Sequence, residues 1–214
     1  MINKLTVTAV CVALAALCGC GPSHKLYAKR MDSPSVEERR AAAKELRVVP
    51  KDKKHDPIIL RACRDSDPDV RMYGYFAIKK IDAREDGVVD ALFDGLRDPS
   101  PDVRRAVASS LGEINPFPNT LLPAMVKLLT DPDEHVSRMM VSAFSNLQGI
   151  GVHALMRHID SKDEDLRLAI VNVLGQIGPA AKGGLTRLRK ISQEDEDLRV
   201  REAAERAVRF IDGK

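Results

Sequence analysis

The chain has 214 residues, with 34 Lys and Arg against 31 Asp and Glu, a net charge of +3, and only 4% aromatic residues. So balanced a surface gives no electrostatic argument for nucleic acid, which calls for a marked basic excess. Three of the four cysteines fall within the first 20 residues, which excludes a disulfide-stapled fold for the rest.

The N-terminus carries one charge, Lys4, and then an uncharged run from Leu5 to Cys20. Its apolar core, ~13 residues, is shorter than the ~20 that cross a bilayer, so residues 1–19 read as a secretory signal. The run ends in "LCGC", which resembles the lipobox of bacterial lipoproteins through Leu17, Gly19 and Cys20. That resemblance implies cleavage after Gly19, a diacylglycerol thioether on Cys20 and acylation of the new amine; two or more acyl chains anchor a protein stably. Cys18 departs from the usual Ala, Ser, Thr or Val. The alternative is ordinary cleavage near Ala13–Ala16 and a soluble exported protein. Gly21 stands where enteric bacteria use Asp for inner-membrane retention, which favours the outer membrane of a two-membrane cell. Residues 20–31 are expected to be a short tether, because "PSHKLYAKRMD" is too short and polar for a full first helix, and the first unit is then a half repeat. Removing 1–19 leaves 33 basic against 31 acidic residues. Cys63, in "PIILRACRD", is expected on an apolar helix face as a buried, inert thiol.

From residue 32 onward one pattern recurs. Aligned on the residue before the Arg of "DVR", the anchors are Glu38, Val70, Val103, Val136, Leu166 and Val200, spaced 32, 33, 33, 30 and 34 apart. A period in this range means stacked supersecondary units. Small or apolar residues follow each anchor at three, four, seven, eight and eleven places: Ala106, Val107, Ser110, Leu111 and Ile114 after Val103, for example. That is one face of an α-helix. A shorter apolar segment lies between successive anchored helices, at 57–65, 87–98, 120–131, 151–160 and 183–192. "DSDPD", "DPSPD" and "DPDEH" supply N-capping Asp or Ser beside Pro, and "INPFPNT" and "IGPAAKGG" end the preceding helices. Sustained period-two alternation is absent, so no strands are expected.

The pattern resembles HEAT repeats, in the short bacterial variety reading Asp-x-Asp-x-x-Val-Arg-x-Ala-Ala-x-x-Ala-Leu, from about Asp32 to Asp212. The resemblance implies an all-α fold, an α-solenoid of about six HEAT-like helical hairpins over 32–214. No single unit of such a stack buries its own apolar face. It also implies a charged ladder between repeats, formed by an Asp five before the anchor and an Arg one after it. The sequence keeps both members at Asp65/Arg71, Asp98/Arg104 and Asp195/Arg201, and lacks one at Ser33/Arg39, Asp131/Ser137 and Ser161/Arg167. Looser stacking is expected at those three.

Residues with catalytic chemistry are sparse. His24, His55, His135, His153 and His158 lack metal-ligand spacing, and there is no phosphate loop or nucleophile elbow. The acids of 162–165 and 193–197 sit at helix starts, where the dipole favours them. No metal, no cofactor and no enzyme activity are expected. Repeat logic instead points to the second helix of each unit, which lines the concave surface in HEAT-type solenoids. Places two, five, six and nine after the anchor point off the core. They give Met72, Tyr75, Phe76 and Lys79 in the second unit, and Arg105 in the third. Arg138 and Val141 follow in the fourth, and Leu168 and Asn172 in the fifth. Tyr, Met and Arg are typical anchors at such surfaces. The expectation is a lipid-anchored, non-catalytic scaffold of the bacterial cell envelope, on the periplasmic side, holding a protein or peptide partner and no nucleic acid. Resemblance to phycobilin lyases, which carry similar repeats, implies chromophore attachment as the alternative. A HEAT-type DNA-repair role would need a basic face that the sequence lacks.

Overall fold

The computed structural model describes residues 23–114 and 116–213. The expected signal 1–19, the lipobox residues and Cys20 lie outside the described residues. Among those described there is no strand, and no helix is long and apolar enough to cross a membrane.

The helices alternate as first and second members of successive pairs. Helices α1 (His24–Met31) and α2 (Val36–Leu46) form the first unit. α3 (Asp56–Ala62), entered through a 3-10 turn at Lys53–His55, pairs with α4 (Pro68–Ile78). α5 (Val88–Leu96) pairs with α6 (Pro101–Leu111). α7 (Leu122–Lys127), flanked by the 3-10 turns Asn119–Leu121 and Leu128–Thr130, precedes the long α8 (Glu134–Met156). α9 (Glu164–Ile177) follows, then a 3-10 segment Gly178–Gly184, α10 (Leu185–Glu194) and α11 (Leu198–Asp212). The second helices touch in chain order, α2 on α4, α4 on α6, α6 on α8, α8 on α9 and α9 on α11. This serial contact is that of an α-solenoid.

Local chemistry sets the boundaries. Asp67 caps α4 by accepting from the amides of Asp69 and Val70, both at 3.1 Å, and Pro68 fills the first helical position. Asp133, Asp163 and Asp197 cap α8, α9 and α11 in the same way. α9 stops at Gly178, whose φ of 66° favours a residue without a side chain. The "IGPAAKGG" expected only to end that helix also folds, into the 3-10 segment that leads to α10. The anchors Val70, Val103, Val136 and Val200 are fully buried, as are Ala106, Val107, Ala203 and Ala204 on the predicted face. Small residues let backbones approach closely. A methyl group placed on Gly74 would stand 2.7 Å from the amide nitrogen of Cys63, so α4 rests directly on the end of α3.

Three expectations need correction. Residues 24–31, expected as part of a tether, form α1, and its Tyr27 and Met31 are fully buried against the next elements. The first unit is a complete pair because two large apolar groups, spaced four apart, suffice to dock a two-turn helix. The segment 151–160 is no separate helix at its start: its first residues continue α8, which runs unbroken from 134 to 156. It is bent, however. A methyl placed on Gly151 would lie 2.8 Å from the Phe144 carbonyl oxygen; in a straight helix residues seven apart are separated by ~10.5 Å along the axis. The bend folds one continuous helix into the second member of the fourth unit and the first member of the fifth. The third concerns the ladder, whose rungs join an Arg of one unit to an Asp of the next.

Candidate functional site

The ladder has fewer gaps than the sequence suggested. Arg71 does not pair with Asp65 of its own unit but with Asp98 of the next, at 2.7 and 2.9 Å. Arg39 pairs with Asp65, Arg104 with Asp131 and Arg167 with Asp195 by the same two-pronged contact. These bidentate, largely buried pairs combine direction with charge. Each of these arginines also donates to the backbone carbonyl six residues before it: Arg39 to Ser33 at 3.1 Å, Arg71 to Asp65 at 3.0 Å, Arg104 to Asp98 at 2.9 Å and Arg167 to Ser161 at 2.8 Å; Arg201 does the same to Asp195 at 2.6 Å. Pairing is thus between units, and the apparent losses at Ser33/Arg39, Asp131/Ser137 and Ser161/Arg167 collapse into a single absent rung, Ser137 opposite Ser161. The spacing of 26 to 28 residues between each Arg and its Asp carried that signal in the sequence. A six-residue spacing within one unit hid it.

The acid position does a second task. Asp65 accepts from the amide of Asp67 at 2.9 Å, and Asp131 from Asp133 at 2.8 Å. Ser161 does the same for Asp163 at 3.2 Å, and Ser33 for Ser35 at 3.2 Å. Serine therefore keeps the turn and gives up only the grip on the preceding unit. The Arg167 guanidinium beside Asp195 holds that carboxyl below its usual range, against the opposing effect of burial. A second row missed by sequence reasoning joins Arg40 and Arg105 to the capping residues Asp67 and Asp133 of the following units.

Of the predicted binding residues, Tyr75 is corrected outright. It is 1% exposed, its hydroxyl donates to the Ala91 carbonyl at 2.7 Å, and burial raises its pKa. Its ring fills the space left by Gly95, where a methyl would come within 2.6 Å of it. An aromatic at place five reaches across to the next unit, so it packs where a smaller residue would be exposed. Met72 and Phe76 are half-buried, and Arg47 stacks over Phe76 at 5.9 Å. Arg105 is half-buried and engaged by Asp102 and Asp133. Val141 and Leu168 are half-buried, while Arg138 and Asn172 are exposed.

The structure brings Asn172 into a groove of about 450 Å³ between α9 and α11. Its floor is Gly175, Ala203 and Ala207, with a methyl on Gly175 falling 3.1 Å from the Ala207 side chain. Gln176 and Arg206 edge it, and Phe210, 71% exposed, stands at one end. Arg206 makes no ion pair among the described residues. Sequence reasoning missed Gln176 and Phe210 because both fall ten places after their anchors, outside the four places considered.

Cys63 is buried, and burial pushes its thiol far up, so it is inert. His55 is buried edge-on to Tyr27 at 5.6 Å, and the Tyr27 hydroxyl is pushed up to about 12 by burial. No group of three or more His, Cys, Asp or Glu that could hold a metal occurs among the described residues.

Comparison with known proteins follows this architecture. The family described as HEAT repeats matches residues 89–152. No curated protein matches the sequence. Among solved structures, a designed armadillo repeat protein, YIII(Dq)4CqI, is 18% identical and covers 88% of this chain and 100% of its own, with a TM-score of 0.52. Another, YIII(Dq.V1)4CPAF in complex with the peptide (KR)4, is 17% identical over 89% and 100%, at 0.51. The complex of CpcE and CpcF of phycocyanin lyase from Nostoc sp. PCC7120 is 20% identical over 86% and 76%, at 0.52. At such identities the likeness establishes fold alone. With its fixed period, serial helix pairs and the HEAT-repeat match at 89–152, the chain carries HEAT repeats and folds as an armadillo-like α-solenoid.

Proposed function

We propose that this chain is a non-catalytic scaffold that holds a protein segment or peptide along its second helices, anchored to the envelope membrane, on the periplasmic side, by lipid on Cys20. The groove between α9 and α11 carries the reading. Its small floor admits a backbone, the Asn172 and Gln176 amides offer both donor and acceptor to a peptide bond, and Phe210 is a large aromatic left in water. Peptide binding by a designed armadillo protein of the same fold supports the class of ligand. The lipobox resemblance supports the anchor.

A photo-crosslinking amino acid placed at 210, and another at 54 on a first-helix turn, tests the surface in cells. A discrete adduct from position 210 that Asn172→Ala weakens, with none from position 54, is the expected result. Equal labelling from both, or none from 210, overturns it. Labelling with an alkyne fatty acid tests the anchor, which Cys20→Ser should abolish; label persisting in that variant rejects it. The lyase alternative rests on the fold of CpcE and CpcF, and covalent colour after incubation with a bilin is the result that would support it.

A further inference from the structure

A second groove lies on the other row of helices. It occupies about 660 Å³ between the start of α7 and the far arm of the bent α8. Its apolar lining is Leu122, Pro123, Ala154 and Ile150, the last 48% exposed. Arg157, His153, His158 and Asn119 complete the lining, His153 and Arg157 on the same stripe of α8 as Ile150 and Ala154. No Asp or Glu lines it, and Arg157 makes no ion pair among the described residues. The His158 ring is fixed, its Nδ1 donating to the Ala154 carbonyl at 3.0 Å, which leaves Nε2 for a ligand.

The groove exists for a structural reason. The bend at 144–151 swings the far arm of α8 away, and Gly149 puts no side chain into the gap; a methyl there would meet nothing within 4 Å. Cations in the last turn of a helix are favoured by its dipole. That accounts for Arg157 as a charge but not for the exposed apolar lining beside it. A volume within the ~300–1,000 Å³ of small-molecule sites, an unpaired guanidinium and an uncharged wall define one class of occupant.

The geometry points to a binding site for a small amphipathic anion, its carboxylate on Arg157 and its apolar body against Leu122, Pro123 and Ile150. This site is independent of the peptide groove between α9 and α11.

The probe is 1-naphthoate, with 1-naphthamide and 1-naphthylmethylamine as neutral and cationic counterparts, titrated calorimetrically into the full chain. Naphthoate should bind saturably, one per chain, at least about tenfold tighter than the amide, and the amine should not bind; tenfold corresponds to ~1.4 kcal/mol. Arg157→Gln should bring acid and amide to equal affinity. Gly149→Leu should fill the groove and block both, while its melting temperature shows that the helix persists, since Leu favours a helix more than Gly does. Arg206→Gln, in the other groove, should change nothing. Absence of saturable naphthoate binding up to about 5 mM, equal binding of all three probes, or unchanged binding in both Arg157→Gln and Gly149→Leu overturns the assignment.

Discussion

The junction between the third and fourth units and the junction between the fourth and fifth are built from the same parts, with one difference. At the former, Arg104 grips Asp131, side chains 14% and 3% exposed, while Asp131 also holds the turn before α8. At the latter, the corresponding positions hold Ser137 and Ser161; Ser161 still holds its turn, but no ion pair joins the two among the described residues. There too the period shortens to 30, two helices merge into one bent α8, and a groove opens on the first-helix side. Capping and gripping are therefore separable tasks of one position. Losing the grip leaves each unit folded and frees the joint between units to take another shape.

The largest test of this contrast strikes the intact side. Tyr75→Ala removes a buried ring that spans the second and third units, and denaturant unfolding should show a loss of about 3–5 kcal/mol. The same substitution, made to test the second-helix surface, would thus report on the core. Arg104→Ala comes next. It leaves Asp131 buried without its partner and should cost about 2–4 kcal/mol, whereas Ser137→Ala, at the rungless junction, should be near neutral.

The bend distinguishes two glycines of one helix. Gly151→Ala drives a methyl into the Phe144 carbonyl and should destabilise by about 1–3 kcal/mol. Gly149→Ala meets open space and should stabilise by up to about 1 kcal/mol through helix propensity. Equal effects in thermal melts would deny the bend.

Restoring the missing rung should give a smaller gain. Ser137→Arg with Ser161→Asp should be coupled by about 0.5–3 kcal/mol in a double-mutant cycle, each single change contributing little or nothing. Zero coupling would mean that the fourth and fifth units do not stand in the register of the others.

The smallest effect is in pH. Asp195 has its carboxyl lowered by Arg167, so this rung's contribution is present above the ordinary carboxylate value and is lost as pH falls through the lowered one. The stability difference between wild type and Arg167→Gln should therefore hold at neutral pH and shrink below about pH 4. A difference that stays constant to pH 2 would show that the charge pair is not its source.

Much of this fold was legible without coordinates, because helical periodicity and caps are local. Asp67 with Pro68 announces a helix wherever it stands, and the alanines after Val200 announce a face. The failures were non-local. Counting Asp65 and Arg71 as the members of one unit hides the rungs, because each side chain pairs with a neighbouring unit: Asp65 with Arg39 and Arg71 with Asp98. Tyr75 looked like a surface anchor because place five is solvated in an isolated hairpin; in the stack, the glycine at 95 gives its ring a pocket. The α9–α11 groove was half visible, through Asn172, and half hidden, since Phe210 counts as a surface place only once α9 lies beside it.

The sequence alone determined the repeat period, the second helices and their order, since these follow from residue spacing along one chain. Only the tertiary structure decided which arginine meets which aspartate, that α8 is continuous and bent, and where the two grooves lie. Those depend on the offset between successive units, which is fixed when side chains far apart in the chain come into contact.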